Sequence, residues 1–342
     1  MSIKTDSRLI TIWKRYQIPI TVFVLAIIPP AFFYSRAISR LFVLVLIFAI
    51  LASALNIVFG HTDQLFLFIG ALAGLSAYGT ALTADWLGIS AWLTLLFGAS
   101  IAGITGLAVS YVSARLEFNV ILISILTLAL QFALIEVFVG ARGITGGSTG
   151  FRFSGLALAS VEEVLGVQYA EFYILYYILL VLLAGVLIFY EWLRSSKYGI
   201  AFNAIRQDEL AAKAIGINVV RYRTIAGFIS AFIIGLVGPF YAQLEGAIFP
   251  GLFEFTQIDV MVLIILVIGG IRTLLGPIVG AGAIIFLNEE LQEFGQWRVV
   301  LFGFLLIVLF LYFRRGIVPY VDKLILGEQK VRKRISRMLT RS

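Results

Sequence analysis

The chain has 342 residues, of which 61% are hydrophobic and only 13% are charged, and its net charge is +7. An ordinary soluble domain carries about 25% charged residues and needs a largely polar exterior, so the composition excludes a soluble fold. It indicates instead a protein whose apolar surface is solvated by lipid. The apolar runs last for about twenty residues without alternation, which is typical of transmembrane helices and not of barrel strands.

Residue types exclude several kinds of site. There is no cysteine, which excludes a disulfide framework, a thiolate metal site and a cysteine nucleophile. His61 is the single histidine, so a cluster of several histidines that binds a metal is excluded as well. No metal or cofactor is predicted to bind this chain. The positive charge is expected to reflect the cytoplasmic face of a membrane protein, and nucleic-acid binding is not predicted.

The chain begins with the basic residues 1–16, which are predicted to be a cytoplasmic segment. A signal peptide is disfavoured, because Pro29 and Pro30 end the first apolar run and no small-residue cleavage site follows. At roughly 20 residues per span, residues 17–313 are predicted to form a transmembrane domain of about ten helices. The predicted spans are 17–34, 39–59, 65–83, 88–112, 118–139, 170–193, 219–244, 257–271, 274–292 and 297–313.

The eighth and ninth predicted spans form one apolar stretch that is interrupted by Gly269-Gly270 and Gly276-Pro277. They are expected either to cross the membrane as two helices or to form a short or re-entrant pair packed inside the bundle, as occurs around transport paths. The predicted fold class is therefore an all-α polytopic membrane protein in which two of about ten spans have this ambiguity.

The distribution of charge predicts the orientation. An even number of spans, eight or ten, places all but five of the 26 lysines and arginines on one side, whereas nine spans would put one charged terminus outside. Because basic residues accumulate in cytoplasmic loops, both termini and the loop 194–218 are predicted to be cytoplasmic, and the loop 140–169 to be external. The basic tail, 314–342, is expected to attract anionic lipid.

The cytoplasmic loop 194–218 contains a predicted short helix. Asp208 is expected to cap its N-terminus, Glu209 lies in the first turn, where negative charge suits the helix dipole, and Gly216 is a natural stop. The predicted apolar face consists of Leu210, Ala211, Ala214 and Ile215. Such a helix fits a groove in another protein, or it lies on the inner leaflet as an amphipathic helix; physical reasoning alone leaves both interpretations open.

Motifs along most of the chain point to one family. The residues of the loop that follow a Glu-Ala-Ala-like pattern ending in glycine are Arg206, Asp208, Glu209, Ala211, Ala212 and Gly216. Further matching stretches are 55–60, 145–150, 230–242, 269–281 and 313–319. In their order and spacing, these motifs resemble the LivM/LivH family of ABC-importer permeases. The resemblance covers roughly residues 45–320.

The resemblance implies a permease subunit that moves branched-chain amino acids, or a related small polar solute, inward across the cell inner membrane. It implies as partners a second, non-identical permease subunit, two ABC ATPase subunits that use ATP and Mg, and an extracytoplasmic substrate-binding protein. The short helix in 194–218 would receive the ATPase subunits. The chain is not expected to be an enzyme, and it contains no Gly-x-x-x-x-Gly-Lys-Ser/Thr phosphate loop of its own.

One stretch departs from the family pattern. Phe66, Phe68 and Ile69 stand where the family has a Ser, a Gly and a His. If they face the translocation path, the substrate could differ from branched-chain amino acids, with urea or a short amide as the alternative; if they face lipid, the change means little. A secondary transporter driven by an ion gradient is the alternative class, and it would need buried acidic or histidine residues near the middle of the bilayer.

The candidates for the translocation path are Gln64, Thr127, Gln131, Gly146 and Gly147. Thr127 and Gln131 are four residues apart and therefore share one face of a predicted helix, where helix–helix hydrogen bonding is the alternative role. The glycine-rich residues 143–150 are predicted to be a flexible loop. His61, at an inner span end, is expected to be solvated. Glu136, one turn from an outer span end, either reaches water or has a function.

Overall fold

A computed structural model of the protein describes residues 35–152, 155–156, 170–312 and 316–320. The predicted N-terminal segment, the first predicted span and most of the basic tail lie outside these residues. The helices in chain order are α1 (Arg36–Thr62), α2 (Ile69–Leu87), α3 (Ala91–Arg115), α4 (Val120–Gly140), α5 (Arg142–Thr145), α6 (Ala170–Ser195), α7 (Lys197–Gln207), α8 (Glu209–Ala214), α9 (Val219–Glu245), α10 (Asp259–Gly269), α11 (Gly276–Glu290) and α12 (Arg298–Tyr312). Short 3-10 turns occupy Gly147–Thr149, Pro250–Phe253 and Leu291–Trp297.

The helices agree with the predicted spans. Each of the nine spans predicted within the described residues coincides with a helix, which confirms the all-α membrane class there. Five helices, namely α1, α3, α4, α6 and α9, are long and apolar enough to cross a membrane. The total of ten spans stays a prediction.

The core is built around α1. Within its most apolar stretch 83% of the residues are buried, whereas the same measure for α4 is 17%. Small residues bring α3 and α9 close to each other: a Cβ on Gly106 would overlap Ala231, and a Cβ on Gly227 would overlap Ser110. The α9 helix in turn packs against α1, where the Ser230 hydroxyl donates to the carbonyl of Ala54. This is how helices pack in lipid, where close backbone approach replaces the hydrophobic driving force.

The pair α10 and α11 is short. The 11 residues of α10 extend roughly 16 Å, about half the thickness of the hydrocarbon core, so α10 does not cross the membrane alone. A tight turn joins the two helices, with positive φ at Gly270 and at Arg272. A Cβ on Gly280 would overlap the carbonyl oxygen of Ile265, so glycine is needed where α11 meets α10. Of the two interpretations of this stretch, the structure favours short helices packed inside the bundle.

Two predictions differ from the structure, one about the start of a helix and one about a loop. The third predicted span begins at residue 65, but α2 begins at Ile69, and residues 63–68 (segment 63–68 below) are not helical. The prediction of a flexible loop at 143–150 is wrong, because α5 and a 3-10 turn order these residues. The strands β1 (Phe151–Arg152) and β2 (Ala247–Ile248) then pair antiparallel and fix the end of the loop against the end of α9.

Candidate functional site

The short helix α8 has the predicted ends. The Asp208 side chain accepts a hydrogen bond from the backbone N–H of Ala211 at 3.0 Å, which confirms Asp208 as the N-cap. At the other end Gly216 has φ +85°, and its N–H donates to the carbonyl of Lys213. The N–H of Ile217 donates to the carbonyl of Ala212, which completes a Schellman closure. Both ends of α8 are therefore fixed by the chain itself.

The predicted apolar face of α8 points away from the protein. Leu210 is 76% exposed and Ile215 is 74% exposed, and Ala211 and Ala214 are exposed beside them. The opposite side is anchored, because Ala212 is buried against Ile205 of α7 and Val219 of α9. The helix thus presents two large apolar side chains on a support of small ones.

Ion pairs tie α8 to two other elements. Glu209 pairs with Arg223 in the first turn of α9, with 3.1 Å between the nitrogen and oxygen atoms, and with Lys213 at 3.2 Å. Lys213 also contacts Glu117 in the turn between α3 and α4, at 2.7 Å. The hydrogen bond from Lys213 lowers the pKa of Glu117, and the same bond raises the pKa of Lys213. The Glu209 carboxylate is therefore engaged within its own chain, while the half-buried Arg206 lies in the last turn of α7.

A buried polar junction holds the N-terminus of α2. One oxygen of Asp259 accepts from the N–H of Ile69 at 2.6 Å, and the other accepts from the N–H of Gly70 at 3.1 Å. The side-chain oxygen of Gln131 accepts from the N–H of Ala71 at 2.7 Å. The first N–H groups of a helix have no acceptor within the helix. Here side chains of α10 and α4 supply the acceptors. We call Asp259 and Gln131, with the α2 N-terminus that they cap, the central junction.

The segment 63–68 is held by α4. The Thr127 hydroxyl accepts from the N–H of Leu67 at 3.0 Å and lies 3.3 Å from the carbonyl oxygen of Leu65. Gln131 donates to the carbonyl of Phe253 at 2.7 Å. Thr127 and Gln131 share one face of α4, as predicted; Thr127 bonds to backbone groups of the non-helical segment, and Gln131 bonds to the N–H of Ala71 in the first turn of α2. This explains why α2 begins four residues later than predicted.

The unusual residues of this stretch are interior. Phe66, Phe68 and Ile69 have no exposed surface, and the two phenyl rings pack edge to face with centroids 5.0 Å apart. The alternative in which they face lipid is therefore wrong. The half-buried side chains of the segment are those of Asp63, Leu65 and Leu67.

A second polar network lies at the end of the bundle that carries α8. Asn56 donates to the carbonyl of Thr273 at 2.9 Å and accepts from the N–H of Arg272 at 2.7 Å, so it holds the turn between α10 and α11. The His61 ring lies 2.7 Å from the hydroxyl of Tyr190 in α6. The expectation that His61 is solvated is wrong: it is buried, because the hydroxyl from α6 satisfies its ring nitrogen.

The candidate path residues divide into two groups. Gln64 is a buried residue of segment 63–68 and donates to the carbonyl of Arg223 at 3.1 Å, while Thr127 holds the same segment and Gln131 holds the start of α2. Gly146 and Gly147 lie at the far end of α4, where Gly146 helps to line a cavity of about 760 Å³. A role of either group in translocation stays a prediction.

Sequence reasoning missed Asp259. It lies within the eighth predicted span as the single acidic residue of that apolar stretch, and this was the available signal, since charges at membrane depth are costly unless they have partners. Its partners, at residues 69 and 70, are far away in sequence and could not be found from the pattern.

The comparisons with known proteins agree with this architecture. The family model described as the branched-chain amino acid transport system permease component matches residues 37–312. The chain belongs to this family. The high-affinity branched-chain amino acid transport system permease protein LivM of Escherichia coli K12 is 26% identical over 324 residues, covering 90% of this chain and 75% of the relative. LivM of Salmonella typhimurium LT2 is 25% identical over 306 residues, covering 84% and 71%. No solved structure matches the chain.

Membership of the permease family establishes the general class of function of this chain. The chain is a multi-pass membrane protein and a transport permease subunit of the ABC type, and the family is one of permeases and not of enzymes. Its matched region contains all the helices described above, including α8 and the central junction.

Proposed function

We propose that this chain is the membrane subunit of an ABC importer of the cell inner membrane, which moves branched-chain amino acids inward. Hydrolysis of ATP with Mg takes place in two ATPase subunits, and an extracytoplasmic binding protein delivers the substrate. The observation that carries the proposal is α8, a capped helix whose apolar face is exposed. Closure of the ATPase subunits on nucleotide draws the two α8-type helices of the assembly together and switches access from outside to inside.

The α8 face supports docking to protein more than resting on lipid. The caps at Asp208 and Gly216 close the ends of the helix, and the ion pairs of Glu209 and Lys213 hold it against the rest of the chain. Its small residues Ala211 and Ala214 let a partner backbone approach between the side chains of Leu210 and Ile215. A mobile helix lying on a leaflet would not need such ties. Because hot-spot residues of an interface are large and central, replacing Leu210 or Ile215 is expected to release the ATPase subunits.

The test is co-purification of the ATPase subunits with Leu210→Asp and Ile215→Asp permeases. Leu116→Asp is the matched control, because Leu116 is an exposed leucine at the same end of the bundle but outside α8. We expect the two α8 variants to lose the ATPase subunits and uptake, and the control to keep both. Retention of the subunits by both α8 variants would remove α8 as the docking element.

The exposed face of α4 supports a second permease subunit. Only 17% of the residues in the most apolar stretch of α4 are buried, and Glu136 lies exposed on it one turn from its end. A carboxylate facing lipid is costly, so a protein cover is favoured there. A cysteine introduced as Val137→Cys is expected to cross-link to the second permease subunit, whereas Ile104→Cys, exposed on α3, is not. Equal cross-linking of both positions would argue against an α4 interface.

A cavity supports branched-chain amino acids over urea as the substrate. It has a volume of about 430 Å³ and lies at the end of the bundle opposite α8. Arg40 and Glu245, which form an ion pair of 2.6 Å, are among its lining residues, and Glu289 adds a second carboxylate. Leu44 and Phe48 contribute to its apolar lining. A lining with both opposite charges and apolar side chains suits a zwitterion with an aliphatic side chain, whereas urea offers neither charge nor an apolar group.

Uptake in proteoliposomes with competing solutes tests the substrate. Leucine and isoleucine are expected to compete with each other, and urea is expected to have no effect even in large excess. Phe48→Ser is expected to weaken competition by leucine more than competition by alanine, because only the larger side chain reaches the apolar lining. Inhibition by urea comparable with that by leucine would favour the urea and short-amide alternative.

Ion-coupled secondary transport is the second candidate, and Asp259 is the observation that favours it, since it is a fully buried acid within a span. However, each carboxylate oxygen of Asp259 already accepts a backbone N–H at the start of α2, a structural role that accounts for a buried acid without ion coupling. Depletion of ATP is expected to stop uptake, and a protonophore applied at constant ATP is not. The reverse pattern would favour the secondary transporter.

A further inference from the structure

We infer that Arg223 and Gln64 are positioning residues that transmit the movement of α8 to the segment 63–68. This inference rests on the proposed function, because α8 moves in response to nucleotide only if ATPase subunits engage it. It goes beyond that function by naming the contacts through which a movement at the surface of the bundle reaches the place where α1 and α2 are separated. Three contacts, described in turn below, form the route.

The first contact joins α8 to α9. Glu209 of α8 lies 3.1 Å from the guanidinium of Arg223, whose side chain is only 8% exposed. A buried charge without its partner is costly, so the two side chains are expected to move together. Since Asp208 and Gly216 close both ends of α8, displacement of the helix is passed to Glu209 and is not absorbed by fraying.

The second contact joins α9 to segment 63–68. The backbone carbonyl of Arg223 accepts a hydrogen bond of 3.1 Å from the side-chain amide of Gln64. The same amide donates to the Thr62 hydroxyl at 2.9 Å, and Thr62 is the last residue of α1. Gln64 is fully buried, so no water competes for these bonds. Arg223 therefore holds the ion pair with its side chain and segment 63–68 with its main chain.

The third contact joins segment 63–68 to α4. Only the two end residues of the segment, Asp63 and Phe68, take part in helical backbone hydrogen bonds, and Thr127 holds the middle through Leu65 and Leu67. Non-helical chain of this kind shifts at lower cost than a helix, because few backbone bonds must break. Its far end leads directly into the central junction. A displacement of Gln64 is thus expected to change the position of the half-buried Leu67 before it disturbs the helices.

A second ion pair connects α8 to the surroundings of segment 63–68. Lys213 of α8 contacts Glu117 at 2.7 Å, and Glu117 precedes α4 in the turn that follows α3. The α8 helix is therefore connected to both elements that border segment 63–68, namely α9 through the buried pair and α4 through the exposed pair. The buried pair is the stronger connection, because exposed ion pairs contribute little.

The experiment uses a cysteine as a reporter in the segment. Because the chain contains no cysteine, Leu67→Cys gives this subunit a single reactive thiol. The assembled transporter is labelled with a maleimide with and without vanadate-trapped nucleotide, and the rate is read on the permease band. With the native route, trapping is expected to change the labelling rate by about fivefold or more, the lower range of ordinary allosteric coupling.

Variants of the route are then combined with Leu67→Cys. Arg223→Gln and Gln64→Leu are expected to abolish the effect of nucleotide on labelling while the ATPase subunits still co-purify. Arg223→Lys keeps a charge beside Glu209 and is expected to retain part of the effect. Arg221→Gln is the matched control, because Arg221 is an exposed arginine in the same turn of α9, and it is expected to leave the effect intact.

The outcomes separate this inference from the proposed function. If the Leu67→Cys labelling responds to nucleotide and Arg223→Gln preserves the response, the route is wrong although α8 still engages the ATPase subunits. If labelling does not respond to nucleotide in the otherwise native subunit, segment 63–68 does not move and the inference is also overturned. If Leu210→Asp fails to release the ATPase subunits, the proposed function fails independently of any labelling result.

Discussion

Replacing Asp259 measures how much the central junction contributes to stability. Asp259→Ala leaves the N–H groups of Ile69 and Gly70 without their acceptors in a site that has no exposed surface. An unsatisfied buried donor costs about 1–3 kcal/mol, so the two together are expected to cost about 2–6 kcal/mol. Asp259→Asn keeps one oxygen and turns an NH₂ group toward the other N–H, so it is expected to cost about half as much.

Thermal unfolding of the purified permease in detergent checks this order. The midpoint is expected to fall from the native protein to Asp259→Asn and further to Asp259→Ala. Glu254→Ala is the control, because Glu254 is an exposed acid just before α10, and its replacement should stay within about 0.5 kcal/mol of the native protein. If Asp259→Ala unfolds at the same temperature as Glu254→Ala, the N-terminus of α2 has other partners and the account of the junction is wrong.

Two further predictions concern a close approach and an exposed ion pair. Gly70→Ala is expected to lower the free energy of unfolding by about 1–3 kcal/mol, and with it the thermal midpoint, since its Cβ would overlap the carbonyl oxygen of Phe253. Gly282→Ala, with open space around it, should not lower the midpoint, and equal midpoints of the two variants would contradict the packing. The Lys213 bond lowers the pKa of Glu117, so the tie is complete above the ordinary pKa of glutamate and is lost as pH falls through the lowered value. A dye attached to Leu210→Cys should therefore gain mobility on acidification when Glu117 is present. In the Glu117→Gln variant the dye should be mobile at every pH. The same acid transition in both proteins would show that a group other than Glu117 is responsible.

Local rules predicted the parts of the structure that local interactions decide. The length of apolar runs located the helices, because each span must satisfy its backbone within itself in lipid. Asp208 and Gly216 bounded α8 correctly, since a cap and a left-handed glycine act on residues within four positions of them. The exposed face of α8 also followed from its pattern, although the pattern could not tell exposure to a partner from exposure to lipid.

Contacts between distant residues decided what the pattern could not show. Residues 65–68 read Leu-Phe-Leu-Phe and are as apolar as the start of α2 itself, so the delayed start of α2 has no signal in that stretch. The start depends on Asp259 and Gln131, which bring acceptors from two other helices to otherwise unpaired N–H groups. The burial of His61 likewise depends on Tyr190, and its position at a span end gave no indication of that hydroxyl.

The departure from the family pattern at Phe66 and Phe68 now has a physical interpretation. Buried and half-buried side chains alternate along the segment, and these two rings lie on its buried side, where they pack against each other. The other side of the segment carries Leu65 and Leu67, which are only half-buried. Large side chains in place of a Ser and a Gly therefore change the packing behind the segment and leave its accessible side unaltered. The departure is thus no argument against branched-chain amino acids as substrates, and it gives Gln64 a firmly packed segment on which to act.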